Sequence, residues 1–160
     1  MQIKNKKHLL SIVITFLTVT FDQLSKFLAI KNKYELLSGI EVFSGLNIVY
    51  VENQGISFGI FSNLNISFYL GILSFLISFY IIYLIFLSKR EIESVCLSLV
   101  LGGAIGNGID RVFNGYVIDF IDFYYKNIHW PAFNLADSFI TVGGAIYLWL
   151  IFFEKSTQNS

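Results

Sequence analysis

From Ile66 to Leu87 not one residue is charged, and Phe, Tyr, Leu and Ile make up most of the stretch. A helix needs roughly 20 mostly apolar residues to cross a bilayer core, so this run alone predicts a membrane span. Three further stretches approach the same standard. His8–Ile30 is apolar apart from Ser and Thr until Asp22, and Ile92–Phe113 has a glycine-rich apolar centre. Asp137–Phe153 is short but uncharged beyond its first residue. Any one of these runs suits a buried helix of a soluble protein. Four of them in 160 residues predict an integral membrane protein of one domain, residues 1–160.

Composition agrees. Only 14% of residues are charged, against about 25% in an ordinary soluble domain. Eleven basic and eleven acidic residues cancel, which leaves no electrostatic case for nucleic acid. The lone Cys96 excludes an intramolecular disulfide and any cysteine-rich metal site.

An even number of spans places both termini on one side of the membrane. Lys4, Lys6, Lys7, Lys89, Arg90 and Lys155 fall on that side, against Lys26, Lys31, Lys33, Arg111 and Lys126 on the other. The three lysines crowded ahead of the first span decide for cytoplasmic termini. That N-terminus resembles a secretory signal, yet no small-x-small cleavage site follows, so a retained helix is expected. The loops 31–65 and 114–136 then face outward. Within them Val42–Val51 and Tyr116–Tyr124 are rich in strand-formers and predict short strands or hairpins against the outer membrane face. Thr157–Ser160 reads as a frayed tail.

A charge at a helix centre in a bilayer costs about 2.5–3.5 kcal/mol on insertion scales. Here such residues fall in one layer. Asp22 lies in the last third of the first span, and Asn107, Asp110 and Arg111 near the end of the third. Asp119 follows shortly after, while Asn134 and Asp137 stand where the fourth span begins. With the topology above, all sit at the outer edge of the bilayer, and the inner halves of the spans are expected to be free of acid. Each residue has a plain structural use. Asp22 can pair with Lys26 one turn on, Asp110 with Arg111, and Asp137 can serve as an N-cap. Asn107, Asp110 and Arg111 share a helix face suited to joining helices. Gly102, Gly103, Gly106, Gly143 and Gly144 read as close-packing positions. A layer of several acids with one arginine asks for more than packing.

No Ser/His/Asp set is visible, and His8 and His129 have no obvious partner. No HExxH, phosphate-cradling glycine loop or metal-ligand spacing occurs. Carboxylates remain. Of two neighbouring aspartates, one keeps a proton while the other activates water, which hydrolyses a peptide bond without metal or covalent intermediate. A proton or cation path through a transporter would spread its acids over several depths. Placement at one depth favours hydrolysis.

Five blocks now stand in order: Asp22-Gln23-Leu24-Ser25-Lys26, Asn53-Gln54-Gly55-Ile56-Ser57-Phe58-Gly59, Gly103-Ala104-Ile105-Gly106-Asn107-Gly108-Ile109-Asp110-Arg111, Val117-Ile118-Asp119-Phe120 and Phe133-Asn134-Leu135-Ala136-Asp137-Ser138. Through them the chain resembles the lipoprotein signal peptidase (signal peptidase II) family over essentially its whole length. The resemblance implies four transmembrane helices, a small extracytoplasmic β-cradle and a short helix lying on the membrane. It implies an aspartic endopeptidase of the bacterial cytoplasmic (inner) membrane, with its active site at the outer face and no metal or cofactor. Its partners would be membrane lipid and prolipoproteins, cut just before a diacylglyceryl-modified cysteine. Carried over by position, the catalytic pair is Asp119 and Asp137. The supporting or substrate-binding positions are Asp22, Asn53, Gly55, Asn107, Asp110, Arg111 and Asn134. Asp122 receives no role, and the loop Asn53–Phe61 is expected to close over the site.

Overall fold

The computed structural model of the chain describes residues 2–55 and 66–154. The proposed closing loop beyond Gly55, the second half of the first-loop motif and the tail Thr157–Ser160 lie outside the described residues. Among the described residues, four helices are long and apolar enough to cross a membrane. They are α1 (Gln2–Lys31), α3 (Ser67–Leu87), α4 (Glu91–Phe113) and α5 (Leu135–Glu154). A short helix, α2 (Lys33–Leu36), follows α1. Among the described residues, four strands make one antiparallel sheet in the order β1 (Ile40–Phe43), β2 (Leu46–Asn53), β3 (Val117–Tyr125) and β4 (Ile128–His129).

α4 is the mast of the bundle: α1, α3 and α5 pack against it far more than against one another. Glycine makes that close approach possible. Gly102 and Gly106, one turn apart, turn toward α1, where added Cβ atoms would collide with Thr18 and with the Asp22 carboxylate. Gly103 faces the Ala136 carbonyl of α5, and Gly143 returns the contact against the Cys96 carbonyl. Gly144 has nothing within 4 Å, so the packing role expected for the Gly143–Gly144 pair belongs to Gly143 alone. The opposite faces of the outer helices are apolar and bare: Phe16, Phe79 and Phe152 are 68%, 70% and 69% exposed. Lipid chains suit such faces, while the helical backbone satisfies its own hydrogen bonds.

The helix ends carry their own polar logic. The Glu93 side chain accepts from the backbone N–H of Lys89 (3.1 Å) and Arg90 (3.4 Å), closing a capping box at the start of α4. Glu91 and Glu93 thus occupy the first turn of α4, where acids suit the positive helix terminus. The expectation of acid-free inner halves is corrected accordingly. At the same end of the bundle, buried Lys7 donates to the carbonyls of Ser88 (2.6 Å) and Ile85 (3.3 Å), the last turn of α3.

The run Val42–Val51, rich in strand-formers, is a hairpin with its turn at Ser44–Gly45, where Gly45 adopts φ 104°. Ile118 and Phe120 of β3 pack with Tyr50, Leu36 and Ala29, seating the sheet on α2 and the C-terminal end of α1. The sheet is also tied to α5. Phe133 exchanges backbone hydrogen bonds with Ile121 (2.9 and 3.0 Å), which places Asn134 and the start of α5 beside β3.

Candidate active site

Side chains alternate along a strand. Ile118 and Phe120 point to the helices, so Val117 and Asp119 point the other way. They line a cavity of about 540 Å³ shared with Arg111, Trp130–Phe133 and the first turns of α5, including Asp137. Asp119 is 3% exposed. Its Oδ2 accepts from Asn53 Nδ2 at 2.9 Å and its Oδ1 from Asn134 Nδ2 at 2.6 Å. Asn53 lies diagonally across the β2–β3 ladder, whose register pairs Val51 with Asp119 and Asn53 with Val117. Burial pushes the Asp119 carboxyl up, and the Asp137 charge pushes further, against the two amides and Lys26, leaving it at about 6.

Asp137 stands in the first turn of α5, with Asn134 just before the helix. The two exchange bonds: Asp137 N–H donates to Asn134 Oδ1 (3.0 Å), and Asn134 N–H donates to Asp137 Oδ2 (3.3 Å). Asn134 is therefore the cap, and Asp137 is the third residue of a capping box. Its other oxygen, Oδ1, accepts from Asn107 Nδ2 at 2.8 Å. Asn134 holds both carboxylates at once, one through its side-chain amide and one through the helix cap.

Arg111 lines the same cavity and donates from Nη2 to the Gly55 carbonyl at 3.3 Å. Its buried Nε has no hydrogen-bond partner among the described residues. Asp110 does not neutralise it. Instead Asp110 Oδ2 lies 2.6 Å from Lys26 Nζ, which also meets Asp22 Oδ2 at 2.7 Å and Asn107 Oδ1 at 2.9 Å. Asp22 Oδ1 accepts from the Ala136 N–H at 2.9 Å, joining α1 to the start of α5. Gln23 Nε2 completes the cluster on Asp110 Oδ1 at 3.2 Å. The i,i+4 pairing of Asp22 with Lys26 is real, yet it is one strand of a buried knot linking α1, α4 and α5.

The structure thus gathers Asn53, Arg111, Asp119 and Asp137 at the cavity, with Gly55 bonded to Arg111 and Asn134 to both aspartates, and ties Asp22, Asn107 and Asp110 together through Lys26, with Asn107 reaching Asp137. Two residues escaped the sequence reading. Lys26, counted there as a charge on the outer side, is 2% exposed within α1. His129, thought partnerless, has Nδ1 2.9 Å from Asp122 Oδ2, which also accepts from Asn47 at 3.0 Å. Asp122 projects from the face of β3 opposite Asp119. Among the described residues no group of three or more His, Cys, Asp and Glu is arranged to hold a metal ion.

Residues 14–153 match the profile of the family described as signal peptidase (SPase) II. The lipoprotein signal peptidase of Thermodesulfovibrio yellowstonii is 43% identical over 135 residues, covering 84% of this chain and 88% of that one. That of Anaplasma phagocytophilum is 38% identical over 156 residues, 97% of this chain and 99% of the other. A bacterial membrane enzyme structure solved by the in meso method at 2.3 Å superposes with a TM-score of 0.77 at 34% identity, covering 94% of this chain and 90% of that one. A second, at 1.9 Å, gives 0.71 at 31% identity, with 89% and 92% covered. With four apolar helices of spanning length, this is a multi-pass bacterial membrane protein, and the chain belongs to the signal peptidase II family.

Proposed function

We propose that the chain is an aspartic endopeptidase that removes signal peptides from bacterial prolipoproteins, cutting on the N-terminal side of the diacylglyceryl-modified cysteine. The observation that carries this reading is the meeting of Asp119, from the sheet, and Asp137, from a transmembrane helix, in one cavity at the helix ends. Asp119, at about 6, lies where a carboxyl both holds and yields a proton near neutrality. In the reaction the ionised aspartate takes a proton from water as the water oxygen attacks the scissile carbonyl carbon. The protonated aspartate gives its proton to the carbonyl oxygen. Collapse of the resulting gem-diol breaks the C–N bond, and the amine leaves with a proton returned from the pair. Arg111 and Asn53 border the cavity and are suited to hydrogen-bonding the substrate backbone.

A substrate anchored by its lipid holds the scissile bond at the membrane surface, level with this pair, while its apolar signal helix stays in the bilayer beside α5. The cations support cytoplasmic termini. Lys6, Lys7, Lys89 and Arg90 cluster at one end of the bundle, whereas Lys26 is buried within α1 and not in a loop. The site then faces outward from the bacterial cytoplasmic (inner) membrane, and residues 1–160 act as a single peptidase domain.

The test is cleavage of a diacylglyceryl-modified prolipoprotein, beside its unlipidated form, by the purified chain in detergent. Only the lipidated form should be cut. Asp119→Asn and Asp137→Asn should be inactive while Asp122→Asn cleaves normally, and EDTA should change nothing. Activity lost to EDTA and restored by zinc would make the acids metal ligands and reject the dyad.

A further inference from the structure

Lys26 takes no part in the chemistry just described, yet it is almost fully buried one side chain away from Asp137. Asp22 and Asp110 already compensate its charge, at 2.7 and 2.6 Å. Its third contact, 2.9 Å to Asn107 Oδ1, adds direction and not neutrality. An ammonium has donors only, and an asparagine amide has one accepting end and one donating end. With its oxygen held by Lys26, the Asn107 amide must present nitrogen on its other side, where Nδ2 stands 2.8 Å from Asp137 Oδ1.

We infer that Lys26 is a positioning residue for the hydrolysis. By gripping Asn107 Oδ1 it locks the amide N–H onto Asp137, so that this carboxylate meets a donor and is held in its place in the pair. The inference rests on the dyad reading above. An amide turned the other way would face Asp137 with oxygen and demand a protonated carboxyl there. Around the pair stand Asp22 and Lys26 from α1 and Asp110 and Arg111 from α4.

The experiment compares Lys26→Met and Lys26→Gln with the full-length wild type in detergent, on the diacylglyceryl-modified prolipoprotein, with kcat and KM followed across pH. Lys26→Met should lose about 100-fold in kcat, the scale of a misplaced catalytic group. KM should stay within about twofold, since substrate binding is untouched. The acid-side limb of the kcat profile should move to higher pH. Lys26→Gln, whose amide can still donate to Asn107, should recover about tenfold of the loss, the scale of one restored hydrogen bond. Because Lys26→Met strands two acids, Asp22→Asn/Lys26→Met is run beside it, and the same kcat loss and limb shift are expected in the folded double variant. Wild-type kcat and an unshifted profile in either methionine variant, with Asp137→Asn inactive, would make Lys26 purely structural and leave the dyad standing. Cleavage by Asp137→Asn would remove the dyad, and this inference with it.

Discussion

Asp119→Asn should change how stability responds to pH, and the structure gives the size. The carboxyl sits at about 6 in the folded protein against an ordinary 3.8. Between those values the unfolded chain has released the proton and the folded chain still binds it, so wild-type stability falls as pH rises through that window and levels off above it. At about 1.4 kcal/mol per unit, the fall amounts to about 3 kcal/mol. Asparagine cannot ionise and escapes it. The substitution carries its own penalty, because Asn53 and Asn134 each donate to Asp119 and an amide offers only one oxygen to the two. One buried donor goes unmatched, at about 1–3 kcal/mol. The variant should therefore be less stable than wild type at pH 4 and match or exceed it at pH 7. In a chain of this size a difference of about 3 kcal/mol moves Tm by about 6–12 °C. Thermal unfolding in detergent from pH 4 to 8 reads it directly. Parallel Tm curves, or a wild type that gains on the variant as pH rises, would refute the burial argument for Asp119.

Other perturbations probe other contacts. Gly106→Ala should destabilise by about 1–3 kcal/mol, the usual range for overpacking, because its methyl runs into the Asp22 carboxylate. Gly144→Ala, with open space around it, should gain about 0.5–1 kcal/mol in the same thermal assay. Asp22→Ala leaves the Ala136 N–H unmatched and Lys26 half-paired, and should lose about 3–5 kcal/mol, seen as lower folded yield. On the dyad reading, the kcat/KM profile should fall on its alkaline side with a limb near 6, as Asp119 gives up its proton. An alkaline limb above 8 would separate Asp119 from that role.

The spans were legible because a bilayer demands long uncharged runs, and nothing local competes with that signal in Ile66–Leu87 or Asp137–Phe153. α5 begins two residues before the expected Asp137, which looks like a cap in isolation. Only its exchange of bonds with Asn134 shows which of the two is the cap. The strands were legible as regions and not as elements. Val42–Val51 contains a turn at Ser44–Gly45 that strand propensity alone does not mark, though the glycine was the available signal. Pairings across elements were the part beyond reach. His129 finds Asp122 through the register that sets Tyr124 opposite His129, and a register cannot be read from one strand. Lys26 hid behind its i,i+4 partner. A residue four positions away explained it so readily that its longer-range contacts to Asp110 and Asn107 went unread.

The division of the two carboxylates between elements has a consequence for the making of the protein. On the dyad reading, Asp119 arrives with the sheet while Asp137 arrives on α5, the last element in chain order. Asn134, which holds both, is fixed only when Phe133 docks on β3 and α5 begins. A nascent chain with three helices inserted therefore carries one carboxylate of the pair and not the other. Synthesis proceeds from the N-terminus, so hydrolytic competence comes at the final membrane insertion and not gradually. A peptidase released into a membrane crowded with half-exported chains is silent by construction until its own assembly is finished.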